Sequence, residues 1–147
     1  MTSDHEILTR QLRRDVGAAA EALGALLGPD LTLTLTSMVH ERAPLWAGQL
    51  LSGDDREAAQ VVTDLAVAGI VPENPDDRWW ATPLGRAVAR SVGHPAAETV
   101  SHSVAAAMLG VHKSRIGQLI AKGQLDRAPD GSITTISIRA YLTTPSG

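Results

Sequence analysis

Six polar side chains crowd the stretch from Val111 to Lys122: His112, Lys113, Ser114, Arg115, Gln118 and Lys122. They are of the types that read nucleic acid. A glutamine amide can pair bidentately with adenine, a lysine or arginine can reach guanine or a phosphate oxygen, and a serine hydroxyl can serve either. Lys113 and Lys122 are the only lysines in a chain with eleven arginines, and they stand at opposite ends of one ten-residue helical run. Val111, Ile116 and Leu119 alternate with the polar set and supply an apolar seam that would hold the polar face outward. Arg115 is read equally well as a phosphate contact or as an ion-pair former at the edge of a core.

The surrounding sequence, TVSHSVAAAMLGVHKSRIGQLIAKGQL from Thr99, predicts how that run is held. A small-residue helix, Ser103 to Leu109, meets a turn centred on Gly110 and then the second helix, Lys113 to Lys122. Ala106 is small where the second helix must cross closely, and Gly110 can take the positive φ of such a turn. APDGSI then predicts a β-hairpin and SIRAYL a closing helix. Residues 99–143 thus resemble the MerR-like and excisionase-like winged helix-turn-helix family: AAAMLGV matches its first helix and turn, KSRIGQLIAKGQL its recognition helix, and the last two segments its hairpin and terminal helix. The resemblance implies a helix in the major groove, with double-stranded DNA bound through Lys113, Ser114, Arg115 and Gln118. His112, Lys122 and Arg127 complete the candidate set. Two features depart from the family: the hairpin tip is Pro129-Asp130-Gly131-Ser132, where Arg or Lys is common, and His112 stands where a capping Ser or Thr is usual.

The first two thirds predict a different surface. Leu8, Leu12, Val16, Ala19, Leu23 and Leu26 recur at steps of three or four and make residues 5–27 an amphipathic helix. Gly28-Pro29-Asp30 ends it. LTLTLT, from Leu31 to Thr36, alternates as a short strand, with a threonine-rich helix start as the alternative. A helix is expected within Ser37–Leu51, offset by Pro44, and another after Ser52, with acids in its first turn and Gly69 at its end. Two apolar stretches about Asn74-Pro75-Asp76-Asp77 read as a hairpin, with Trp79 and Trp80 on opposite strand faces, and PLGRAVARSVG reads as a helix. That order is winged-helix-like. The fold class expected is therefore mainly α with small β-hairpins: a helical, winged-helix-like N-terminal domain (1–93) and a winged helix-turn-helix (94–147), divided at Gly93-His94-Pro95.

Charge divides the chain in much the same place. Residues 1–98 carry eight arginines against fourteen acids, whereas residues 99–147 carry five bases against two acids, within a total of −3. The basic part suits a polyanion and the acidic part a protein partner or a second copy. For such a homodimer through the N-terminal domain the candidate contacts are Leu8, Leu12, Leu23, Leu26, Trp79 and Trp80. The absence of cysteine excludes disulfides and thiolate chemistry, and the spacing of the five histidines suggests no metal site. No nucleotide or acyl-transfer signature occurs, so neither a cofactor nor an enzyme is expected. With no apolar run long enough for a membrane span and an acidic start, the expected location is cytoplasmic. Abundant alanine and arginine suggest a GC-rich bacterial source. The reading is a sequence-specific DNA-binding protein, a bacterial transcriptional regulator. The alternatives are an architectural protein of excision or partition, and an antitoxin-like or scaffold module whose helix-turn-helix is only structural.

Overall fold

Ser3 begins the first helix by accepting the backbone N–H of Glu6, and Asp4 and Glu6 place negative charge at its positive end. The computed structural model describes residues 2–144. Helix α1 (Asp4–Leu27) ends where Gly28, at φ 129°, returns its N–H to the Gly24 carbonyl. Pro29 sits at the first position of α2 (Pro29–Leu51), so a single residue joins two long antiparallel helices. A Cβ on Gly24 would overlap Thr32, which is how closely the two helices cross.

LTLTLT is helical, not a strand. Pro29 and Asp30 start the helix, and Thr34 and Thr36 give their hydroxyls to the carbonyls of Asp30 and Thr32 one turn back. Pro44 lies inside the same helix. Its missing N–H releases the His40 carbonyl, and Arg13 of α1 supplies two donors to that oxygen, at 3.3 and 3.1 Å. The helix continues through a proline because its neighbour satisfies the freed group.

Asp54 caps α3 (Asp55–Val67) by accepting from Arg56 and Glu57, and Gly69, at φ 80°, closes the turn after it. The hairpin expected around Asn74–Asp77 is instead a helical turn, α4 (Asp77–Trp80), because the Asp76 carboxylate accepts the Trp79 N–H and fixes a helix start. No strand lies between residues 2 and 98, so the first two thirds lack the winged-helix order expected of them. Thr82 and Pro83 then begin α5 (Pro83–Ser91). Gln11 of α1, itself buried, accepts the otherwise unpaired Leu84 N–H at 2.7 Å.

Strand β1 (Thr99–Val100), α6 (His102–Leu109), α7 (Ser114–Ala121), β2 (Ile133–Thr134) and α8 (Thr135–Thr143) follow. The strands pair antiparallel, Thr99 opposite Thr134 and Val100 opposite Ile133. Arg127 bridges to Ile133, and the Ala128 N–H reaches the Ser132 carbonyl, so residues 126–134 fold back as the expected hairpin. The protein is mainly helical, with eight helices and one small antiparallel sheet among the described residues.

One connected core runs from Leu8 and Leu12 through Trp80, Leu84 and Val88 to Ile116, Leu119 and Ile138. At Gly93-His94-Pro95, where the division is expected, the chain makes a tight turn. The Nδ1 of His94 accepts the N–H groups of Ala96 and Ala97, and its ring lies 5.5 Å from that of Trp80. Arg139 of α8 clamps the two parts together, donating to the Ser91 carbonyl and pairing with Asp55 at 2.8 Å. Among the described residues, no helix is long and apolar enough to cross a membrane.

Candidate nucleic-acid interface

The geometry of residues 101–122 follows from its caps. Ser101 accepts the Val104 N–H to start α6, and Gly110, at φ 72°, ends it in the left-handed region. Lys113 occupies the cap position of α7 without a capping side chain. His112 does that work: its Nδ1 accepts the Ser114 N–H at 3.2 Å and lies 2.9 Å from the Ser114 hydroxyl. The imidazole, two residues before Ser114, orders the first turn of α7.

Ile116 and Leu119 are buried and pin α7 to the core. Every other residue from His112 to Gln118 is exposed, as are Ala121, Lys122 and Arg127. At about 100° per residue, Ser114, Gly117, Gln118 and Ala121 form the outward arc, with Arg115 and Lys122 together on one flank and Lys113 on the other. The arc is built of small residues around one amide, so the α7 backbone can approach a facing surface closely. The ion pairs among the described residues are Arg14–Asp15 and Asp55–Arg139. Lys113, Arg115, Lys122 and Arg127 therefore make no ion pair among the described residues, and Arg115 has no ion-pair partner there.

Sequence reasoning missed Arg86. It is exposed on α5, and a Cβ on Gly110 would collide with its guanidinium. A positive group from the acidic part of the chain thus lies against the turn between α6 and α7, at the negative end of α6. Its spacing gave no signal, because the contact depends on how α5 packs. The hairpin is tied to α6 by a 3.1 Å hydrogen bond between the His102 Nε2 and the Gly131 carbonyl. Its tip is anionic. Hydrogen bonds from the Ser132 hydroxyl and N–H hold the exposed Asp130 carboxyl below the usual carboxylate range.

The candidate partner residues separate. Leu8, Leu12 and Trp80 lie in the chain's own core and are unavailable to a partner. Trp79 is half-buried, edge to face on Trp80 at 5.0 Å, because both tryptophans sit on one helical turn and not on opposite faces of a strand. Leu23 and Leu26 are exposed. Four histidines have local structural partners: His5 bonds the Pro44 carbonyl, and His94, His102 and His112 make the contacts given above. Among the described residues, no three His, Asp or Glu side chains converge as a metal site.

Comparison with protein families, with curated proteins and with solved structures finds no match to this chain.

Proposed function

We propose that the protein binds duplex DNA as a winged helix-turn-helix, laying α7 in the major groove, and that it acts as a transcriptional regulator. One observation carries this reading: the outward face of α7 combines unpaired cations, a free amide and small residues on a helix whose other face is locked into the core. Lys113, Arg115 and Lys122 would contact phosphates, and Gln118 would read a base edge. Ser114, held by His112 at the helix start, would add a hydroxyl contact. Ser114, Gly117 and Ala121 would let the backbone come near.

Arg127, at the base of the hairpin, would touch the flanking backbone. The tip would not, because Asp130 would meet phosphate with like charge. The test is a titration of the full chain with labelled genomic duplexes at low and high salt. Binding that weakens steeply with salt supports the proposal, and no binding at low salt removes it.

A further inference from the structure

We infer that the outer half of the α1–α2 hairpin is a docking surface for a second copy of this chain, which closes on it as a two-fold, four-helix bundle. The apolar stripe of α1, Leu8, Leu12, Val16, Ala19, Leu23 and Leu26, is covered by the core over its first half only. Beyond Ala20 the stripe continues largely in solvent: Leu23, Leu26 and Leu27 are 48, 79 and 64 % exposed.

The hairpin does not use these leucines to hold itself together. Its two helices approach most closely where Gly24 meets Thr32, and Ala20 and Val39 are buried along the hairpin. At about 100° per residue, Leu23 and Leu27 lie on one flank of that contact line, with Leu26 beside them. On the antiparallel α2, Leu31, Leu35 and Met38 fall on the same flank. Leu33, 72 % exposed, falls on the other. Both helices therefore offer one shared apolar face.

The occupant follows from charge, shape and area. Residues 17–38 contain two charged side chains, Glu21 and Asp30, and neither lies on the leucine flank. The face offers a charged partner no complement, and it does not repel its own copy. A two-helix apolar face related to itself by a two-fold axis makes an isologous four-helix contact in which each leucine row meets its equivalent. The exposed parts of these side chains amount to on the order of 500 Å² per copy, so two copies reach the roughly 1,000 Å² needed for a specific interface. A patch of about this size lies in the upper part of the range that a typical monomer exposes, and such a patch is often a binding surface.

The inference stands without the DNA proposal, and its test uses no DNA. Sedimentation equilibrium of the full chain at micromolar concentration should give twice the 15.4 kDa chain mass. Leu26→Glu and the double variant Leu23→Glu/Leu26→Glu should shift the species to monomer, raising the dissociation constant by about 100-fold or more. Leu33→Glu, equally exposed but on the other flank, should remain dimeric. Helical circular dichroism confirms folding, and the single variant alters only a side chain already in solvent. A monomeric full chain, a dimer indifferent to Leu26→Glu, or equal dissociation by Leu33→Glu would each overturn the inference. A monomer would leave the arm to a different protein.

Discussion

Gly117 is the residue where a folding role and a binding role for α7 give opposite results. It lies inside an eight-residue helix, has no positive φ, and a Cβ there would meet nothing within 4 Å. Nothing in this chain requires glycine at that position. Glycine inside a helix costs about 0.8–1 kcal/mol relative to alanine, so Gly117→Ala should stabilise the fold by roughly that amount. For a chain of this size the gain raises Tm by about 2–4 °C. If α7 lies against DNA, the added methyl enters the space the backbone needs, and affinity should fall about fivefold while stability rises. Gly117→Glu adds a carboxylate facing phosphates, and should weaken binding by on the order of tenfold or more at low salt with a stability change within about 0.5 kcal/mol. Thermal melts and fluorescence anisotropy on the same samples read both quantities. A destabilised Gly117→Ala would refute the open geometry. If both variants bound DNA like the parent, this face of α7 would not meet the duplex.

Two further outcomes follow from side chains in defined surroundings. Gln118→Ala should cost about 1–3 kcal/mol on the best duplex site and little on random DNA; equal losses on both in competition titrations would show that the amide reads no base. His94 is held below its ordinary value of 6.5 by burial, and its Nδ1 must stay unprotonated to accept two backbone N–H groups. Below pH 6.5 the unfolded chain takes a proton that the folded chain refuses, so stability is full above that pH and declines as pH falls toward the lower folded value. His94→Asn keeps an acceptor but cannot titrate, so urea midpoints should fall less between pH 7 and 5 than in the parent; parallel declines would refute the assignment to His94.

The segments where turn glycine and apolar spacing agreed were legible from residues alone. Gly110, Ile116 and Leu119 place α6, the turn and α7 within a residue or two of the expected limits. The hairpin after α7 and the helix after Ser52 were equally readable. Where a short local pattern competed with a cap, the cap won. Three alternating leucine–threonine pairs had no partner strand to pair with, while Pro29 and Asp30 supplied a helix start. Asn74-Pro75-Asp76-Asp77 looked like a β-turn, but Asp76 captured the Trp79 N–H and made a helical turn. Burial was beyond local pattern altogether. One uninterrupted leucine stripe on α1 is buried at Leu8 and Leu12 and about half exposed at Leu23. The unpaired state of the α7 cations and the contact of Arg86 with Gly110 likewise depend on tertiary packing.

The central claim, that α7 engages duplex DNA, is tested most directly by the salt dependence of binding in the full chain and in Lys113→Ala/Lys122→Ala. With about three to five phosphate contacts, a fourfold rise in salt should weaken the parent by a factor of roughly 40 to 500. The double variant should lose about two units of the log–log slope while its thermal melt stays unchanged, since both lysines are exposed and unpaired. No binding at low salt, or the same slope in parent and variant, would contradict the claim.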